Sequence, residues 1–349
     1  MKIETIPQEG YEKVVKCEDP ESGLRAVIAV HNTQLGPALG GLRMWPYASW
    51  DDAIFDVLRL SKGMTYKSAV ADTGLGGGKS VIIGNPKTDK SEALFRAMGK
   101  FVDSLEGKYI TAEDVGTSVE DMVNVRKETE RVTGLPLELG SSGDPSPWTA
   151  LGTFRGIEAC MEEVHGSKDL TGRTVAIQGC GHVGMFLADL LHEAGAKMIF
   201  ADISPERAQA LADKTGGTVV DPAQILSVEC DVLAPCALGA IVNDETLPNF
   251  NTKIIAGAAN NMLLREEHGQ RLREAGILYA PDYVINAGGI INVSIEVEGT
   301  YDEEKSRKKV DNIYHALKRV FEISKAEDIP TNEAANKLAL ERLSQPARA

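Results

Sequence analysis

The sequence predicts an α/β protein in two domains. Three observations carry this. The chain has 349 residues, enough for two domains of ordinary size. A polar run, Gly140-Ser141-Ser142-Gly143-Asp144-Pro145-Ser146-Pro147, interrupts the apolar pattern and has the composition of an interdomain connection. Beyond it, short apolar strands alternate regularly with helical segments, the grammar of a parallel sheet. The expected division is residues 1–140 and 141–329, with a last helix at about 330–349 packing back on the first domain.

In the first domain, Lys13 to Cys17 and Leu24 to Val30 are β-like runs joined by Pro20-Glu21-Ser22-Gly23, which reads as a hairpin. The stretch from Gly36 to Trp45 is dense in glycine and lets backbone approach a ligand or another strand. Ser49 with Asp52 starts a helix in capping-box fashion, with Ile54, Val57, Leu58 and Ser61 inward. A second helix runs from about Ser91 to Leu105. Tyr109 to Ala112 is a short strand leading to Glu113-Asp114-Val115-Gly116, and Thr117 with Glu120 caps the helix after it.

Between the first two helices lies GMTYKSAVADTGLGGGKSVIIGNP, residues 63–86, with Lys67 following the helix and Lys79 closing a glycine run ahead of the strand Val81-Ile82-Ile83. A lysine among bare backbone can sit close to substrate and be partly desolvated, which disfavours its ammonium form and suits it to general-base work. A phosphate loop, G-x-x-x-x-G-K-[ST], is excluded. Its first glycine would fall on Thr73, and a strand rather than a helix follows the lysine. Asp114, at a strand end in the same domain, is the carboxylate that could exchange protons with Lys79.

In the second domain a helix from about Thr149 to Val164 precedes the buried strand Thr174 to Gln178. Gly179-Cys180-Gly181-His182-Val183-Gly184 follows, then a helix through Leu191 and a strand from Lys197 to Ala201 ending on Asp202. This is G-x-G-x-x-G with strand before, helix after and an acid about 20 residues on, so a Rossmann-type dinucleotide site is expected at Gly179, Gly181, His182, Val183, Gly184 and Asp202. The carboxylate repels a 2′-phosphate and no arginine immediately follows it, Arg207 being the nearest, so NAD is preferred over NADP. Further strands fit Cys230 to Ala234, Lys253 to Ala256 and Ile277 to Tyr279, with helices between them. Their ends place Ala237, Leu238, Ala259, Asn260 and Asn286 where an open α/β sheet binds its ligand. A long charged helix spans about Tyr301 to Ala326, and Pro330 starts the last one.

Composition closes other routes. The net charge of −14 argues against nucleic acid or anionic membrane as partner. No run approaches the ~20 apolar residues of a membrane span. The five cysteines are scattered without a C-x-x-C pair and the six histidines lack metal-ligand spacing, so no metal site is expected; a reducing cytoplasm is the expected compartment.

The segments Gly36–Trp45, Lys62-Gly63-Met64-Thr65-Tyr66-Lys67, Gly76-Gly77-Gly78-Lys79, Thr111–Gly116, Gly143–Pro147, Cys236–Ala240 and Ala280–Gly289 together resemble the amino-acid dehydrogenases of the glutamate/leucine/phenylalanine/valine superfamily. Within it the likeness is greatest to leucine dehydrogenases. The resemblance runs in unbroken order from about residue 11 to 340. It implies an active-site cleft between the two domains, a homo-oligomer, and NAD-dependent, reversible oxidative deamination of an L-amino acid to its 2-oxo acid and ammonia. It further implies that Lys67 binds the α-carboxylate, that Lys79 activates water, that Asp114 shuttles a proton, and that Gly40, Gly41 and Asn286 complete the anchoring. The side-chain pocket would be formed by Leu39, Ala112, Ile290 and Val293. All four are apolar, which disfavours glutamate and points to leucine, isoleucine and valine. An aromatic amino-acid dehydrogenase and a non-catalytic nucleotide sensor are the alternatives.

Overall fold

The computed structural model describes residues 1–136, 138, 141–237, 239–299 and 301–345. The chain forms two compact units. The first comprises Met1–Asp144, Val293–Asp302 and Leu340–Ala349; the second comprises Pro145–Asn292 and Glu303–Ala339.

The first unit is built on strands β1 (Lys2–Thr5), β2 (Lys13–Asp19), β3 (Leu24–Asn32), β4 (Ala38–Trp45), β5 (Gly76–Ile83) and β6 (Tyr109–Glu113), in the order β1-β2-β3-β5-β4-β6. The pairs β1–β2, β2–β3 and β3–β5 are antiparallel; β4 runs parallel to both β5 and β6. Helices α1 (Trp50–Val70), α2 (Glu92–Asp103) and α3 (Val119–Arg126) cover the sheet. Side-chain alternation sends Ile28, Leu42, Met44, Ile82 and Tyr109 to one face, where they pack with Phe95, Met98 and Phe101 of α2. Each of these large side chains contributes about 1.5–3 kcal/mol on full burial, so this face is the main source of the unit's stability. The opposite face takes Val27, Ala29 and Val81 against Ala53 and Val57 of α1, a thinner layer of smaller residues.

Three local expectations are corrected here. The helix begun at Ser49, whose hydroxyl accepts from the Asp52 N–H at 3.1 Å, does not stop before Lys67; it runs to Val70, so Lys67 sits in its last turn. Strand β5 begins at Gly76, which puts Lys79 in mid-strand rather than at the end of a loop. Its glycines are there for space: a Cβ on Gly77 would lie 2.1 Å from the Thr65 backbone nitrogen of α1. Finally, α3 is capped by Ser118 with Asp121, not by Thr117 with Glu120. Thr117 is engaged elsewhere, its hydroxyl lying 2.9 Å from the Leu42 carbonyl.

The second unit has a parallel sheet of β7 (Thr174–Gln178), β8 (Lys197–Ala201), β9 (Thr218–Val219), β10 (Val232–Pro235), β11 (Ile254–Ile255) and β12 (Leu278–Tyr279), ordered β12-β11-β10-β7-β8-β9. The reversal of direction beside β7 is the doubly wound pattern. Its helices are α4 (Ser146–His165), α5 (His182–Glu193), α6 (Pro205–Thr215), α7 (Glu267–Glu274), α8 (Asp282–Ile285), α10 (Glu303–Asp311) and α11 (Ile313–Glu327). Helix α9 (Gly288–Val297) and helix α12 (Thr331–Leu343) each begin in the second unit and end in the first. A core of Ala176, Leu233, Ile255, Leu272 and Tyr279 holds the sheet to its helices. Two expectations differ from this outcome. Among the described residues between β10 and β11 the only helical element is a 3-10 turn, Leu247–Asn249, where a longer helix is expected from sequence. The long helix from Tyr301 is broken at Asn312 into α10 and α11.

Candidate active site

Strands β4 and β5 run parallel with Leu39 opposite Gly77, which sets Gly41 beside Lys79; strand β6 places Ala112 opposite Gly41. Alternation then puts Leu39, Gly41, Arg43, Lys79, Ala112 and the strand-end Asp114 on the face that α1 covers. There Lys79 Nζ forms an ion pair with Asp114 Oδ2. The lysine is buried, at 6% exposure, and a fifth of the Asp114 side chain reaches solvent. Gly41 makes room for the pair: a Cβ on it would lie 2.7 Å from Asp114 Cβ and 3.2 Å from Lys79 Nζ. Gly40, one step along, faces away. Its carbonyl accepts from the buried Tyr109 hydroxyl at 2.5 Å, and a Cβ there would strike the Gly78 carbonyl at 1.8 Å.

Asp114 is held by its turn. Its N–H donates to Thr117 Oγ1 at 3.0 Å, and Gly116, at φ +82°, brings its α-carbon so close to β4 that a Cβ would lie 2.0 Å from the Met44 carbonyl oxygen. Burial pushes the Asp114 carboxyl up, but Lys79 and then Arg43 outweigh it and hold it below the usual carboxylate range. Arg43 was not among the expected site residues. Its Nε lies 3.5 Å from Asp114 Oδ2, and its Nη1 donates to Asp56 Oδ2 at 3.0 Å. Asp56 also accepts from the Tyr47 hydroxyl at 2.6 Å and pairs with Arg59 at 2.7 Å. The only sequence signal for this group was position: Arg43 stands two residues from Gly41, on the same strand face.

Lys67 is half-buried in the last turn of α1, the helix whose Thr65 backbone rests against Gly77. Leu39 is buried and Ala112 partly so. Ile290 and Val293 stand three residues apart on α9, on one helix face, the first buried and the second partly exposed.

In the second unit the glycine turn has the three properties a pyrophosphate needs. Gly179 adopts φ +98° and packs against Ala237, whose Cβ would lie 2.7 Å from a Cβ placed on it. Gly184 closes the helix onto the strand, since a Cβ there would lie 2.1 Å from the Gly179 carbonyl oxygen. Gly181, the N-cap of α5, has no side-chain cap and faces open space, leaving the first N–H groups of an uncapped helix for an anion. His182 is exposed and Val183 partly so, in the first turn of α5. Asp202 folds back on this turn, accepting from the Cys180 N–H at 2.6 Å and the Ser204 N–H at 2.8 Å. Asn286 is buried at the junction of α8 and α9, donating to the Ala258 carbonyl at 3.1 Å and to Asn260 Oδ1 at 2.7 Å. Ala259 is buried beside it, its N–H bound to the Pro235 carbonyl at 2.9 Å. Leu238 lies outside the described residues. Among the described residues no group of three or more acidic, histidine or cysteine side chains could hold a metal, and no helix is long and apolar enough to cross a membrane.

A buried lysine–carboxylate pair in one unit and a dinucleotide turn in the other are the equipment of a nicotinamide-dependent dehydrogenase that moves protons as well as hydride. The comparisons narrow the class. The profile of the "Glu/Leu/Phe/Val dehydrogenase, dimerisation domain" matches residues 11–131, and that of "Glutamate/Leucine/Phenylalanine/Valine dehydrogenase" matches 140–204 and 202–349. The chain belongs to this family and is an NAD-dependent amino-acid dehydrogenase. It is 55% identical to the leucine dehydrogenase of Thermoactinomyces intermedius over 333 residues, covering 95% of this chain and 91% of that one. The leucine dehydrogenase of Bacillus cereus is 53% identical over 342 residues, covering 98% and 93%. The crystal structure of L-tryptophan dehydrogenase from Nostoc punctiforme superposes with a TM-score of 0.86 at 47% identity, covering 96% of each chain.

Proposed function

We propose that this enzyme oxidatively deaminates branched-chain aliphatic L-amino acids, leucine foremost, to their 2-oxo acids and ammonia, reversibly. The observation that carries the reading is the buried Lys79–Asp114 pair on the glycine-lined face of the β4–β5–β6 sheet. Lys67 takes the substrate α-carboxylate, and backbone at Gly40 and Gly41 with the Asn286 amide completes the anchoring. The Gly179–Gly184 turn would hold NAD, with Asp202 at its ribose, and the bound nicotinamide would supply the hydride acceptor.

The chain's own groups handle protons and water. The substrate ammonium passes a proton to the ionised Asp114 carboxylate before hydride leaves. After oxidation to the imine, water adds at the α-carbon with its proton going to Lys79. The departing ammonia takes a proton from Asp114. Lys79 and Asp114 are ion-paired, so the base and the proton carrier stand side by side at the reacting carbon and nitrogen. Closing this chemistry off from water strengthens it.

The substrate class follows from apolar Leu39, Ala112, Ile290 and Val293. A buried distal carboxylate would find no partner among them, at a cost of several kcal/mol. The likeness to two leucine dehydrogenases supports aliphatic substrates, and the likeness to an L-tryptophan dehydrogenase makes an aromatic substrate the rival reading. The family description of residues 11–131 as a dimerisation domain supports a homo-oligomer. The test is kcat/KM, by absorbance of reduced nicotinamide, for leucine, isoleucine, valine, phenylalanine, tryptophan and glutamate. Leucine ahead of valine, both well ahead of phenylalanine, and glutamate inert is the expected order. Phenylalanine or tryptophan ahead of leucine overturns the pocket; no turnover with any of them overturns catalysis.

A further inference from the structure

Two cations meet on one oxygen of Asp114. Lys79 Nζ pairs with Oδ2 from β5, and Arg43 Nε approaches the same atom to 3.5 Å from β4. The guanidinium is mostly shielded, with 21% of its side chain exposed, and it is not free to swing. Its Nη1 is bonded to Asp56 Oδ2 on α1 at 3.0 Å. Asp56, with 12% of its side chain exposed, is itself fixed by the Tyr47 hydroxyl at 2.6 Å and by Arg59 at 2.7 Å. Surface arginines rarely hold such geometry, because a lone exposed ion pair gains little against the entropy of ordering it. Here one planar fork spans two carboxylates on different elements, and each carboxylate has a further donor.

We propose that Arg43 is a positioning residue of the reaction, bridging Asp114 to Asp56 so that the carboxylate stays ionised and aimed at Lys79. This rests on the roles given above to Lys79 and Asp114. The physical consequence is twofold. Arg43 shares the Asp114 oxygen with Lys79, so the lysine is not locked into an exclusive ion pair, and the extra positive charge favours the ionised Asp114 carboxylate. The bridge also ties the catalytic end of the sheet to α1, the helix that carries Lys67 eleven residues beyond Asp56. The charged groups facing Asp114 are Lys79 from β5 and Arg43 from β4; Glu113 and Tyr109 of its own strand point to the other face and feel its charge only through space. Asp56, Arg59 and Tyr47 lie behind Arg43.

The experiment is the pH profile of kcat/KM for leucine in Arg43→Gln, Arg43→Lys and the parent enzyme, with NAD saturating. Glutamine keeps a donor for Asp56 and removes the charge. The acid limb is expected to move up by about one pH unit, the low end for losing an opposite charge at this range. On that limb the loss is about tenfold, and it disappears on the alkaline plateau. Arg43→Lys restores the limb, because the charge returns. A uniform loss at every pH, with the limb unmoved, would make Arg43 merely structural and overturn the proposal. Should Arg43→Gln not fold, Asp56→Asn decides: Asp114 then has the guanidinium to itself, so the limb stays or moves down, and an upward move overturns the proposal. Asp114→Asn separates the two levels. Parental turnover in that variant sinks the underlying reading of Asp114. An inactive Asp114→Asn together with an unmoved limb in Arg43→Gln sinks this proposal alone.

Discussion

A single methyl group at position 41 is the most direct probe of the site. In Gly41→Ala the new Cβ would stand 2.7 Å from Asp114 Cβ, 3.0 Å from the Glu113 carbonyl oxygen and 3.2 Å from Lys79 Nζ. Carbon atoms in contact settle near 3.5–4.0 Å, so Asp114 must retreat by about 1 Å. The Glu113 carbonyl blocks one direction and Lys79 another, and the side chain cannot simply rotate without leaving Lys79. A displacement of that size among reacting groups costs about 10²-fold in rate. Overpacking costs stability too, about 1–3 kcal/mol. The variant should therefore still fold, melting a few degrees lower, with kcat for leucine down about 100-fold and the KM for NAD unchanged. Reduced-nicotinamide absorbance and a thermal melt measure both. Parental kcat in a folded Gly41→Ala would show that the pair tolerates displacement and would refute its place in the chemistry.

Two other substitutions test the assignments from different sides. Lys79→Ala leaves the Asp114 carboxylate with Arg43 as its remaining cation, and turnover should fall by at least the 10²–10⁴-fold attributed to general-base catalysis while NAD binding, followed by fluorescence titration, holds; retention of more than about a tenth of parental turnover counts against the base. Asp202→Ser removes the acceptor that orients on the Cys180 N–H, so NAD should weaken and the NAD to NADP ratio of kcat/KM should narrow; an unchanged ratio takes the acid away from the ribose.

Much of this molecule was legible before any coordinates, and the failures share a cause. The nucleotide turn could be read because its three signals are local: an apolar strand, three spaced glycines and an acid at the next strand end, all within about 30 residues. The hairpin at Pro20–Gly23 was readable for the same reason. Lys79 was recognised by its glycines, yet those glycines were taken for a loop. They belong to a fully buried strand, emptied of side chains because Thr65 of α1 presses on Gly77 and Tyr109 lies close above Gly78. Nothing within the stretch itself reports that pressure. The choice between Thr117 and Ser118 as helix cap was equally closed to sequence, since both have an acid three residues on. The contest is decided by the Leu42 carbonyl, 75 residues away in the chain, which engages the threonine hydroxyl. Arg43 and Asp56 escaped notice because a charge pair spanning a strand and a helix, 13 residues apart, has no periodicity to betray it.

The last turn of α1, where Lys67 resides, ends on carbonyls that the helix itself cannot satisfy. The Ala71, Thr73 and Asp72 N–H groups serve the Lys67, Ser68 and Ala69 carbonyls, and Arg342 of α12 donates to the Val70 carbonyl and, at 3.2 Å, to that of Ala69 as well. The two partners are 272 residues apart in the chain. At ribosomal rates of about 5–20 residues per second, α1 therefore emerges roughly 15–55 s before its cap is made. Throughout that interval the end of the helix that bears Lys67 lacks this contact. The β1–β6 sheet can form early, but the end of the helix that bears Lys67 acquires this contact only once Arg342 has emerged. Completion of the first unit is thus timed by the arrival of a distant arginine.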